Sequence, residues 1–251
     1  MDERGDSRMP AQASPLLAKL GTVARLSEDD RAAVEALCDD AQEVAARRSI
    51  IREGDRPDRV HAILEGWAIR YALLANGTRQ ITAFLVPGDF CDLHATVLGH
   101  MDHSIATLTR ARVAAIPRAR IDEVMERPSV ARAFLWSTLV DEAVLRSWIV
   151  TVGRRDAEEA IGHLMCELYL RMRNVGLTID HSYALPLTQE EIADALGLTP
   201  VHVNRVLQRM RREGLISLAG GALTIHDYRK LEHASGFDPN YLHFEPRAPR
   251  P

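Results

Sequence analysis

Apolar and polar positions fall into four successive textures along the chain. Residues 15–42 read as helical, with Ser27 placed to cap a charged and apolar run. From about 43 to 116, short apolar runs are broken by turn signals at Glu53-Gly54-Asp55, Glu65-Gly66, Asn76-Gly77 and Pro87-Gly88-Asp89. That spacing predicts small antiparallel strands closing a barrel or sandwich, with Asn76-Gly77 the clearest hairpin turn. A long run then opens at Pro128-Ser129 and holds no further Gly or Pro before Gly153. In it Trp136, Val140, Ala143, Ser147 and Val150 follow 4-3-4-3 spacing, the seam of a contact between two helices. A partner copy or the chain's own β-domain can bury such a seam; the helix is apolar enough to use both faces, and a dimer interface is expected here. Gly153 is expected to break the helix. The stretch after it starts acidic and ends basic, the order a helix dipole favours.

The next segment carries the most information. Thr188 and Glu191 form a capping box that starts a helix. Ile192 and Leu196 give that helix an inward face, and Ala193 is small where a crossing helix must come close. Gly197 suits a tight turn between helices. Thr199 caps a second helix with Pro200 at its first position. Val203, Val206 and Leu207 point it inward, leaving His202, Asn204, Arg205, Gln208 and Arg209 outward. A capped helix pair whose second member is polar and Arg-bearing fits a DNA major groove. Arg205 has the chemistry for a bidentate contact to guanine, and Asn204 or Gln208 for adenine. Val201 offers apolar contact, for instance to a thymine methyl, and His202 completes the expected base-contacting set. Thr188, Thr199, Arg209 and Arg212 are placed to hold phosphates. Beyond this pair, residues 214–227 read as a hairpin turning at Gly220-Gly221, followed by a short helix and a Pro-rich tail.

Charge changes the picture little. The net charge is -4, and residues 153–233 hold ten Lys/Arg against eleven Asp/Glu. Positive charge is local instead, with Arg205, Arg209, Arg211 and Arg212 inside eight residues. The docking face, not the total, decides duplex binding. Cys38, Cys91 and Cys166 are scattered and odd in number, which suits reduced thiols and no zinc knuckle. No apolar run is long enough to span a bilayer, and the N-terminus is polar, so no membrane association and a cytoplasmic location are expected.

The whole arrangement resembles the Crp/Fnr family of bacterial transcription regulators over roughly residues 15–232, on the turn Pro87-Gly88-Asp89-Phe90, the long helix, the helix-turn-helix and the wing Leu215-Ile216-Ser217. The resemblance implies an α+β protein. It would have an N-terminal cyclic-nucleotide-binding-like β-roll (a double-stranded β-helix), a long dimerisation helix and a C-terminal winged helix-turn-helix. Its divisions would be a disordered leader at 1–14, the sensor roll at 15–128, the helix at 129–152, the DNA-binding domain at 153–233 and a tail at 234–251. It further implies a homodimer on an inverted-repeat duplex DNA operator, acting through RNA polymerase.

Two departures narrow the effector. Members that bind cyclic nucleotide carry Gly-Glu-Leu after the turn and an Arg-Ser or Arg-Thr pair later. This chain has Cys91-Asp92-Leu93-His94 and Met101-Asp102-His103-Ser104, with no arginine for a phosphate. Cyclic AMP is therefore not expected. With no cysteine before Cys38, an iron–sulfur cluster is not expected either. Glutamate is common in the family where Val201 stands, while Asn204-Arg205 fits the usual small-polar-then-Arg pair, so an operator different from the common family one is expected.

Asp92, His94 and His103 are the candidate effector-pocket residues. Cys91, His94, His100 and His103, with Asp92 and Asp102, have metal- or haem-ligand chemistry, but no tight ligand spacing appears and no metal is expected. No catalytic set is expected. The competing readings are a β-barrel enzyme built on a histidine metal site, and a ligand- or metal-binding regulatory module without DNA binding.

Overall fold

The computed structural model describes residues 13–244. All but the last two residues of the expected leader, and the end of the tail, lie outside that range. Ser14 is already part of the fold. It caps α1 (Pro15–Gly21) by accepting from the Leu17 amide, while its own N–H and hydroxyl donate to Glu35. Ser27 and Asp30 form a capping box on α2 (Glu28–Glu35), and Asp30 also accepts from the Ser129 hydroxyl at 2.6 Å. This second bond ties α2 to the start of the long helix.

Seven strands follow: β1 (Gln42–Val44), β2 (Ser49–Ile51), β3 (Arg59–Glu65), β4 (Ala68–Leu73), β5 (Arg79–Leu85), β6 (Ser104–Thr107) and β7 (Ala111–Pro117). They form two antiparallel sheets, ordered β1-β7-β3 and β2-β6-β4-β5, which make the roll. The β4–β5 hairpin turns at the expected Asn76-Gly77, with Leu73 opposite Arg79. Gly88, at φ +93°, is required by a close approach: a Cβ there would lie 2.7 Å from the Pro15 carbonyl.

After α3 (Arg118–Met125), α4 runs 27 residues, Pro128–Arg154. Gly153 does not break it. The chain leaves the helix two residues later, where Arg155 is extended and Asp156 caps α5 (Ala157–Asn174) with a capping box to Glu159. A glycine in a last turn costs little there, whereas a strong cap at Asp156 fixes where the next helix begins. Then come β8 (Ser182–Ala184), α6 (Gln189–Leu196), α7 (Pro200–Arg212), β9 (Ile216–Ala219), β10 (Ala222–Ile225) and α8 (Tyr228–Ala234). The wing is a three-stranded sheet, β8-β10-β9, one strand more than the expected hairpin.

The segment expected as a tail is packed from Ser235 to Phe244. Phe237 and Leu242 are buried, and the Tyr241 ring stacks on His163 with centroids 5.7 Å apart. Together with the core it closes most of the α4 stripe expected to face a second copy. Val140 and Ala143 are buried within the chain, Trp136 and Ser147 are half-buried, and only Val150 is exposed. Burial within the same chain therefore claims much of that seam. The exposed large apolar residues of α4 are Leu135, Leu139, Leu145, Ile149, Val150 and Val152, a stripe mostly one position away.

One apolar cluster runs from the roll through α4 into the C-terminal half, where Phe84 meets Trp67 and Trp148 edge-on at 6.4 and 5.8 Å. Beside it lies a buried ionic chain. Arg171 of α5 donates to Asp89 at 2.6 Å, to Glu167 at 3.1 Å and to the Phe84 carbonyl at 2.8 Å. Lys19 of α1 holds the other Asp89 oxygen at 2.7 Å. Glu167 also accepts from Trp148 Nε1 and Tyr241 Oη. Burial raises the Asp89 carboxyl, but the two facing cations outweigh it and hold the pKa at about 2. Burial wins at Glu167, whose pKa is raised.

Arg171→Met leaves the Glu167 and Asp89 carboxylates short of a cation in the interior and is expected to cost about 3–5 kcal/mol, read by urea unfolding. A second expectation concerns His163, whose imidazole is pushed down to about 4 by burial, helped by nearby Arg155. The unfolded chain binds this proton near pH 6.5, so between pH 6.5 and 4 the unfolded state carries more protons. Stability is full above that window and falls through it as pH drops. His163→Leu should flatten the fall by on the order of 2–3 kcal/mol relative to the parent, measured as denaturation midpoints across pH.

Candidate nucleic-acid interface and sensor cavity

The interface is built from local signals. Thr188 accepts from the Glu191 amide while Glu191 accepts from the Thr188 amide, closing the capping box of α6. Gly197 stands at φ +67°, which turns the chain within one residue. Thr199 accepts from the His202 amide and Pro200 opens α7. Ile192, Ala193, Leu196, Val203, Val206, Leu207 and Met210 are all buried, so the two helices cross on an apolar seam. The outer face of α7 is left to solvent, and it is the face expected to read DNA. Val201 is 79% exposed, Arg205 and Gln208 are exposed, and His202 and Asn204 are half-buried.

Partners refine the roles. Asn204 Nδ2 donates to Gln189 Oε1 at 3.0 Å, so Gln189, at the start of α6, belongs to the same surface. The sequence reading missed Gln189. Its signal was its place in the first turn of the first helix, which crosses the backbone in this motif. Arg209 is paired with Glu158 at 3.0 Å and must exchange that partner to reach a phosphate. Arg212, Thr188 and Thr199 are exposed. Behind the helix pair, Arg79 and Gln80 of the β4–β5 hairpin dock on α6, through Asp194 at 2.7 Å and the Ala195 carbonyl at 3.2 Å.

A cavity of about 470 Å³ lies between the roll, α4 and α5, closed at one side by Leu242 and Phe244. His94 and His103 line it. Asp92 does not: it is fully buried and accepts from the His61 amide and ring Nδ1 at 2.6 and 2.9 Å, a pairing across strands that sequence spacing does not reveal. Asp102 lines the cavity and accepts from His103 Nδ1 at 2.7 Å. The Cys91 thiol is buried and held well above the usual range by desolvation, so it is inert. Three cations line the cavity, and each is already engaged. Arg70 donates to Asp141 of α4 at 2.8 Å and to the Phe90 and Cys91 carbonyls, while Lys19 and Arg171 share Asp89. Three buried polar atoms among the described residues lack any partner: His94 Nε2, His103 Nε2 and Asn174 Nδ2. All three residues line this one cavity.

A winged helix pair with its reading face free, joined by a long helix to a roll that encloses a cavity, is the architecture of a DNA-binding regulator. Comparison with known proteins agrees. Residues 160–234 match the Crp-like helix-turn-helix domain, and residues 41–128 match the cyclic nucleotide-binding domain. The transcriptional activator FnrL of Cereibacter sphaeroides is 30% identical over 202 residues, covering 77% of this chain and 79% of that protein. The nitrogen fixation regulation protein FixK of Bradyrhizobium diazoefficiens is 29% identical over 188 residues, 73% of this chain and 77% of that one. Among solved structures, FixK2 from Bradyrhizobium japonicum superposes with a TM-score of 0.66 at 23% identity, covering 77% of this chain and 96% of that one. The chain belongs to the Crp/Fnr family of transcription regulators, and it binds DNA through its helix-turn-helix. No helix among the described residues is long and apolar enough to cross a membrane.

Proposed function

We propose that the protein is a cytoplasmic, sequence-specific regulator that binds an inverted-repeat operator as a homodimer and acts through RNA polymerase. The observation that carries the reading is the outward face of α7, where Arg205 stands exposed on a helix anchored by four buried apolar residues. Arg205 is assigned to guanine O6 and N7, Asn204 with Gln189 and Gln208 to adenine or neighbouring edges, and Val201 to a thymine methyl. Thr188, Thr199, Arg209 and Arg212 are assigned to phosphates, which set register without reading sequence. Selection from random duplex DNA should return a site with twofold symmetry. Arg205→Ala should then cost about 1–3 kcal/mol and relax one position in each half-site, whereas uniform weakening on all sequences would make Arg205 a phosphate contact.

The twofold partner is assigned to the exposed stripe of α4, centred on Leu139, Leu145, Ile149 and Val152. An apolar helix face of this length fits a helix-to-helix seam with a second copy. Ile149→Glu should yield a monomer by sedimentation and lose operator affinity, because each half-site then binds alone. Trp136 and Ser147 flank this seam, and Val150 sits within it.

The effector is assigned to the cavity. Its cations already carry carboxylate partners, so a cyclic nucleotide would find no free arginine for its phosphate. The unpartnered Asn174 amide favours a ligand with an acceptor group.

A further inference from the structure

We infer that His94, Asp102 and His103 form a binding site for one divalent transition-metal ion of the zinc, cobalt or ferrous class, set in the wall of the sensor cavity. Sequence spacing pointed away from a metal, because His94 and His103 are nine residues apart with no paired-ligand motif. The fold removes that separation. His94 sits in the single-turn helix Leu93–Thr96, and Asp102-His103 lie just before β6. One donor atom from each of the three lies within 4.8 Å of the others, and the two imidazole centroids are 5.3 Å apart. Ligands at about 2.1 Å from a tetrahedral ion are about 3.4 Å from each other, so small side-chain adjustments close the set.

The second observation is the state of the imidazoles. The Nε2 atoms of both rings are buried and unpartnered. A buried polar nitrogen without a partner is costly, and native structures keep such groups where something else satisfies them. Two such imidazoles with centroids 5.3 Å apart and a carboxylate at hand present nitrogen and oxygen donors suited to a borderline ion rather than to Ca²⁺ or Mg²⁺. Asp102 now accepts from His103 Nδ1, the ring nitrogen away from the unpartnered Nε2; because its side chain is largely exposed, it can leave that bond and close the set without leaving a buried charge behind. Nearby Arg70 does not oppose the ion with a free charge, since Asp141 neutralises it. Three protein donors leave a position open, and all three residues line the cavity. A small ligand in the cavity can complete the coordination there, which makes the ion a reader of the effector as well as a structural clip.

The site is measurable on the free protein, apart from any DNA binding. The untagged full chain, freed of metal with a chelator, is titrated with Co²⁺ by visible absorption and with Zn²⁺ by calorimetry. One ion per chain is expected, with absorption bands of a nitrogen and oxygen environment and a rise in the thermal midpoint. His94→Gln and His103→Gln should each weaken binding at least tenfold, and Asp102→Asn by about 10–100-fold. His100→Ala, an exposed neighbour outside the cluster, should bind as the parent does. Circular dichroism confirms that each variant is folded, and Asp102→Asn, altered at an exposed side chain, keeps the test decisive if a histidine variant is not. Failure of the folded parent to bind one ion would overturn the assignment, as would unchanged affinity in the folded His94→Gln/His103→Gln double variant.

Discussion

The guanidinium of Arg171 ties the roll to the DNA-binding domain from within the core. It is buried, and it holds Asp89 from the roll and Glu167 from its own helix at once. Through Asp89 it reaches Lys19 of α1, and through Glu167 it reaches Trp148 of α4 and Tyr241 of the packed segment from Ser235 to Phe244, a strap across α4 and α5. Buried charges are expensive, and hydrophobic replacements of such clusters are often neutral for stability. What the cluster provides is geometry. An apolar interface of Phe84, Trp67 and Trp148 tolerates small slides, whereas fork-like hydrogen bonds from one planar cation fix the position of α5 against the roll. Burial raises both carboxyls; Asp89 faces two cations, which overcome it, and Glu167 faces one, which does not.

That fixed geometry gives the cavity a mechanical route to the reading helix. Ala72, Thr82 and Ala83 line the cavity on β4 and β5, and the same hairpin presents Arg79 and Gln80 to α6. On the other wall, Thr138, Asp141 and Leu145 belong to α4, and Leu145 is also part of that helix's exposed apolar stripe. A ligand that binds two arrangements of these walls unequally must shift either the α6 dock or the α4 seam. Equal affinity for both arrangements would shift neither.

What the sequence made legible was local. The helix pair at 188–212 announced itself because its caps, its Gly197 turn and its inward apolar positions are all set by residues within a turn or two of each other. The β4–β5 hairpin was equally plain from Asn76-Gly77. The faces of α4 were not. That helix is apolar nearly all round, so 4-3-4-3 spacing fits more than one stripe, and only tertiary packing shows that Val140 and Ala143 face inward. The strap was hidden because Phe237, Tyr241 and Leu242 are a few apolar residues among Pro, Gly and Asp, with no periodicity to read. The cavity residues were half legible. The His and Asp types stood out, but the choice between Asp92 and Asp102 depends on His61, thirty-one positions away from Asp92.

The proposed departure from cyclic-nucleotide chemistry rests on pairing rather than on residue count. The cavity is not short of positive charge, for Arg70, Lys19 and Arg171 all border it. Each, however, has a carboxylate within 2.8 Å. An incoming phosphate would have to displace Asp141 from Arg70, leaving a half-buried carboxylate of α4 without its cation, and would gain only what that carboxylate lost. A site that binds phosphate well keeps its arginine poised and unspent. Here the groups left without partners are instead two imidazole nitrogens and an amide. Such groups fit the proposed ligand, one that offers them a Lewis acid or an acceptor, better than one that brings another anion.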